Sequence, residues 1–125
     1  MRILVVDDNR DVATMLAELL QIDGHEDVAI AHDGVAALAS MRASKPDFVL
    51  CDLVLPGELD GQAIARTCRS EAQLHDVRLV AMSGYGSPED RARAMEAGFD
   101  DLLAKPVRFE TLSACIRQGG GTQLR

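Results

Sequence analysis

Residues 3–8 read Ile3-Leu4-Val5-Val6-Asp7-Asp8, a branched apolar run that ends abruptly in two acids. A continuous run of this kind marks a strand covered on both faces, as in a parallel sheet, rather than the alternating strand of an antiparallel one. Three more runs share the form. Phe48 to Cys51 closes on Asp52, Val77 to Met82 closes on Ser83-Gly84, and Asp101 to Ala104 closes on Lys105-Pro106. Each ends in a residue able to handle a cation or a phosphate. Parallel sheets bind ligands beyond the carboxyl ends of their strands, so these residues are expected to converge on one crevice.

Helical patterns fill the intervals between the runs. Asn9 is placed to cap a helix with Val12, Met15, Leu16, Leu19 and Leu20 on its inner stripe, and Gly24 supplies a left-handed stop. Val28 to Ala31, ending in His32, lacks a chemically loaded end and reads as an edge strand. Asp33 caps a second helix with Val35, Leu38, Ala39 and Met41 inward, which must end before Lys45-Pro46. After the turn from Pro56 to Gly61, a weaker helix turns Ala63, Ile64 and Cys68 inward. Ser87-Pro88-Glu89-Asp90 gives the strongest local helix start, with a capping serine, a first-turn proline and acids at the positive end of the helix dipole. That helix stops at Ala97-Gly98, and a last one uses Phe109, Leu112, Cys115 and Ile116. The expected division is one domain over residues 1–118 and a flexible tail over 119–125, opened by Gly119-Gly120-Gly121. Five strand-helix units joined by right-handed crossovers, with the second strand at an edge, give an α/β doubly wound sheet of order 2-1-3-4-5. Its switch point lies between the first and third strands, where Asp7, Asp8 and Asp52 sit.

The composition narrows the function. A chain of 125 residues that is 47% hydrophobic, with one Tyr, three Phe and no Trp, builds a single aliphatic core. A net charge of −7 disfavours binding to nucleic acid, which needs clustered Lys and Arg. Cys51, Cys68 and Cys115 are odd in number and lack metal-ligand spacing, so they are expected as buried reduced thiols. No apolar run approaches the ~20 residues of a membrane span. The expectation is a soluble cytoplasmic protein without direct membrane contact. His25, His32 and His75 are scattered and read as surface or capping residues.

Three carboxylates held at one sheet margin repel one another by about 4 kcal/mol per pair at 4 Å under an effective dielectric near 20. Lys105 offers one compensating charge, and a hard divalent cation with oxygen ligands, Mg²⁺ or Mn²⁺ in its place, offers two. The Ser83 hydroxyl, the Gly84 amide and the amides after Asp52 add neutral donors for phosphate oxygens. This is equipment for phosphoryl transfer, with Asp52 as the nucleophile.

At this point the chain resembles the receiver domain of two-component response regulators, from about Arg2 to Ile116. The resemblance rests on Asp7-Asp8, Asp52, Pro56 with Asp60-Gly61, Ser83-Gly84 and Lys105-Pro106. It implies a flavodoxin-like fold shared with chemotaxis regulators, in a chain that is either a stand-alone regulator or a part of a larger regulator or hybrid histidine kinase. It further implies that Asp52 accepts a phosphoryl group from a histidine kinase or histidine phosphotransfer protein. Asp8, Asp52 and the backbone carbonyl of Val54 would bind Mg²⁺, with Asp7 acting through water. Ser83, Gly84, Lys105 and the Val54 backbone would hold the phosphoryl oxygens, and the Lys105-Pro106 bond would be cis. The resemblance places a downstream protein partner on the fourth helix, fifth strand and fifth helix.

The chain departs from the pattern in four places. Leu102 stands where the family usually has an aromatic residue, which directs attention to the loop after Ser83, with Tyr85, as the route of signal transmission. The turn after Pro56 is one residue longer than usual, which should reshape the loop and leave Asp52 in place. Val54 is apolar and cannot orient an attacking water, and bulky Tyr85 is placed to shield the site, so slow loss of the phosphoryl group is expected. The rival readings are a degenerate receiver acting as a phosphorylation-independent binding module, a Mg²⁺-dependent aspartyl-nucleophile phosphatase, and a flavin or nucleotide module. A phosphatase of that type carries a second Asp where Val54 stands, and a nucleotide module needs a glycine-rich loop where Asp7-Asp8-Asn9-Arg10 stands.

Overall fold

The computed structural model describes residues 1–121. Its elements are β1 (Arg2–Val6), α1 (Arg10–Ile22), β2 (Asp27–Ala31), α2 (Gly34–Ala43), β3 (Phe48–Asp52), α3 (Gly61–Ser70), β4 (Arg78–Ser83), α4 (Pro88–Ala97), β5 (Asp101–Ala104) and α5 (Phe109–Gly121). The strands are parallel in the order β2-β1-β3-β4-β5, with β2 at an edge as its sequence suggested. The bounds of α5 take in the three glycines that composition assigned to the tail, and the remainder of that tail, 122–125, lies outside the described residues.

Alternate side chains of the strands face opposite layers. Ile3, Val5, Phe48, Leu50, Val80 and Met82 pack with Leu16, Leu20, Leu112 and Ile116 of α1 and α5. Leu4, Val6, Val49, Cys51, Leu79 and Ala81 pack against α2, α3 and α4 through Leu38, Met41, Ile64, Cys68 and Ala94. Both faces of β3 are buried along its whole length, which is why its sequence does not alternate.

The helix starts follow the expected chemistry. Asn9 accepts from the Val12 amide, Asp33 from Ala36, Asp60 from Ala63 and Ser87 from Asp90. Gly24 and Gly98 close α1 and α4 with φ of +98° and +119°, a region where a side chain would be strained. The inner stripes of α1 and α2 are corrected by the structure. Ala13, Leu16, Ala17 and Leu20 are the buried residues of α1, and Met15 is exposed. In α2, Gly34, Ala37, Leu38 and Met41 are buried, with Val35 and Ala39 outside. Small residues let a helix approach the sheet closely, so alanine displaced the larger side chains from the contact line.

All three cysteines are buried and free. Among the described residues, no helix is long and apolar enough to cross a membrane.

Candidate functional site

Strand register sets the height of each reactive side chain. Val6 pairs with Cys51, so Asp7 leaves β1 level with Asp52 at the end of β3. Ser83 pairs with Ala104, so Lys105 leaves β5 just beyond Ser83. The result is a cluster in which one oxygen from each of Asp7, Asp8 and Asp52 lies within 4.8 Å of the others. Asp7 and Asp52 are buried, and Asp8 is exposed.

Lys105 joins the cluster. Its Nζ donates to Asp7 Oδ2 and to Asp52 Oδ2, each at 2.8 Å. Burial pushes the ammonium pKa down, but the hydrogen bonds and charges of Asp52 and Asp7 outweigh it and leave the group above its ordinary value. Lys105 is thus held as a cation. With three carboxylates and one ammonium, the cluster retains an excess of negative charge and presents oxygen donors alone, a set that fits a hard divalent cation.

The backbone fixes the carboxylates. The Val54 amide donates to Asp52 Oδ1 at 3.1 Å, and the Asn9 amide donates to Asp7 Oδ1 at 2.9 Å. Gly61 lies so close to the end of β3 that an added Cβ would fall 2.5 Å from the Asp52 carbonyl oxygen. The turn after Pro56 therefore returns to the end of β3, where Asp52 lies beside Lys105. The neighbouring Cys51 thiol is pushed well above its ordinary pKa, first by burial and then by the Asp52 charge. It offers no competing nucleophile.

Ser83 closes β4. It is buried there, and its hydroxyl donates to Asp90 Oδ2 of α4 at 2.5 Å. Gly84 is exposed at the opening of the following loop. Tyr85, expected to shield the site, is 92% exposed and covers nothing, and Val54 is 76% exposed at the mouth. The Lys105-Pro106 bond is cis. The sequence reading missed the contact of His32 Nδ1 with the Asp7 carbonyl oxygen at 3.0 Å, and it gave Asp90 a role at the helix dipole alone. No histidine enters the acidic cluster among the described residues.

The response regulator receiver domain family matches residues 3–117. The chain belongs to this family. It is 38% identical to the response regulator MprA of Mycobacterium avium over 117 residues, 94% of this chain and 50% of that protein. The chain spans about half the length of the curated relatives it matches. The receiver domain of NtrX from Brucella abortus superposes with a TM-score of 0.85 at 32% identity, covering 94% of this chain and 96% of the other. The chemotaxis response regulator CheY4 of Vibrio cholerae gives 0.86 at 26% identity, covering 94% and 97%. This receiver domain therefore belongs to two-component signalling. Receivers in general bind Mg²⁺ in an acidic pocket, interact with histidine kinases and downstream partners, and are not enzymes in the usual sense.

Proposed function

We propose that Asp52 is the phosphoacceptor, taking the phosphoryl group of a phosphohistidine on a histidine kinase or histidine phosphotransfer protein. A carboxylate oxygen of Asp52 attacks phosphorus and the P–N bond to the imidazole breaks. Its electron pair stays on the ring nitrogen, which takes a proton from solvent. The observation that carries this reading is Lys105 bridging Asp7 and Asp52 within a cluster of three carboxylates.

Asp8, Asp52 and the Val54 carbonyl hold Mg²⁺, or Mn²⁺ in its place, with Asp7 acting through water. Bound there, the ion supplies two positive charges against those on the transferred phosphoryl oxygens. Lys105, Ser83, Gly84 and the Val54 amide are the phosphoryl-oxygen donors. Lys105 is supported by its contact with Asp52, and Ser83 must first turn from Asp90. The chain catalyses its own phosphorylation and a slow dephosphorylation. A downstream protein reads the state on the face made by α4, β5 and α5. The net charge of −7 supports a domain that does not itself touch nucleic acid, and the three free buried thiols support a cytoplasmic setting.

Incubation with acetyl phosphate and Mg²⁺, followed by intact mass measurement, tests the assignment. The expected result is addition of one phosphoryl group to the parent chain and none to Asp52→Asn. Equal addition to both would overturn it.

A further inference from the structure

We propose that Asp90 is a positioning residue for phosphoryl uptake, because its carboxylate competes with the incoming phosphoryl group for the single hydroxyl proton of Ser83. The inference rests on Asp52 as phosphoacceptor. A serine hydroxyl has one proton to donate and lone pairs to accept. That proton goes to Asp90 Oδ2 at 2.5 Å, while Oγ accepts from the Gly86 amide at 3.3 Å and the Tyr85 amide at 3.4 Å. One buried hydroxyl thus ties the end of β4 to the loop that follows it and to the first turn of α4.

Asp90 is well held as an acceptor. Its amide donates to the capping Ser87 Oγ at 3.1 Å, and its other carboxylate oxygen pairs with Arg93. The hydrogen bond from Ser83, followed by the Arg93 charge, keeps the carboxyl below its ordinary pKa, so an anion faces Ser83 at neutral pH. A hydrogen bond to an ionised acceptor is roughly twice as strong as a neutral one. Ser83 can donate to a phosphoryl oxygen only after giving up this bond. The competition has two consequences. The unphosphorylated state is favoured, and uptake of the phosphoryl group frees Asp90, the Tyr85 and Gly86 amides and the start of α4 together.

This gives the chain a route from site to surface that needs no ring at position 102. Leu102 is buried in the layer beneath α4, and Arg91 of α4 reaches its carbonyl oxygen at 3.4 Å. Coupling of this kind is reciprocal. A partner that draws Asp90 away from Ser83 with a cationic side chain promotes phosphoryl binding by the same factor that phosphorylation promotes partner binding.

The test is a double-mutant cycle read by equilibrium binding of beryllium fluoride, an unreactive phosphoryl mimic, with Mg²⁺. Asp90→Ala should bind the mimic about tenfold to a hundredfold more tightly than the parent, the range expected when a competing charge-assisted hydrogen bond is removed. The same substitution in a Ser83→Ala background should leave affinity unchanged. Asp90→Asn, which keeps an acceptor without its charge, should fall between and serves in the cycle should the alanine variant fold poorly. An unchanged affinity in Asp90→Ala, or a tightening that persists without Ser83, would overturn the proposal. A parent chain that binds no mimic and takes up no phosphoryl group would instead remove the Asp52 assignment, and this inference with it.

Discussion

At the amino ends of the strands, Arg2 Nε meets Asp27 Oδ2 at 2.8 Å, Lys45 meets Asp76 at 2.7 Å, and Arg69 donates to Asp100 and to the carbonyl oxygens of His75, Val77 and Gly98. At the carboxyl ends, Asp7, Asp8 and Asp52 gather together, and Lys105 pairs with Asp7 and Asp52. One margin pairs Asp27, Asp76 and Asp100 each with its own base, and the other sets three acids against one base. The paired margin stabilises the fold. The unpaired margin carries a repulsion that a cation and a phosphoryl group can use, so part of the stability of the free chain is given up where function resides.

The contrast can be broken by substitution. Arg69→Ala should have the largest effect on folding, about 3 kcal/mol, because it strips donors from several carbonyl groups at once. Urea unfolding would read this, and a loss below about 1 kcal/mol would mean that water replaces the guanidinium without penalty. Lys105→Met should cost about 2 kcal/mol without Mg²⁺, since it leaves the buried Asp7 uncompensated. The Lys105 pKa is raised on folding, so its contribution is complete below the unfolded value near 10.4 and is lost as pH rises through the higher folded value. The difference between parent and variant should therefore be flat from neutral pH to about pH 10 and shrink above it.

Val54→Asn should hasten loss of the Asp52 phosphoryl group about fivefold to tenfold, because an amide at the mouth can orient water where valine cannot. The parent should keep the group for minutes or longer in Mg²⁺ buffer, and a lifetime of seconds would refute this. Asp52→Asn should raise stability without Mg²⁺ by about 1 kcal/mol through relief of repulsion. Asp27→Asn, at the exposed Arg2 pair, should change stability by no more than about 0.5 kcal/mol.

The strand ends were legible because each buried run stops at a residue too polar to continue it. Asp7, Asp52, Ser83 and Lys105 could therefore be placed on one sheet margin before their distances were known. Periodicity was less informative for α1 and α2. It reports that a helix has an apolar side, but Met15 and Val35 look inward on that criterion while Ala13 and Ala37 take the contact line. The Ser83 to Asp90 bond was not legible. Seven residues and a loop separate the two, and no repeat in the sequence encodes how that loop returns. Arg69 was hidden for the same reason, because its partners come from two separate segments, His75 to Val77 and Gly98 to Asp100.

Unfolding free energy measured against Mg²⁺ concentration, for the parent and for Asp52→Asn, tests most directly whether the carboxyl margin is a cation site. The parent should gain about 1.4 kcal/mol at a Mg²⁺ concentration ten times its dissociation constant, and the variant less than half of that at the same concentration. No gain in the parent, or equal gains in both, would contradict the account.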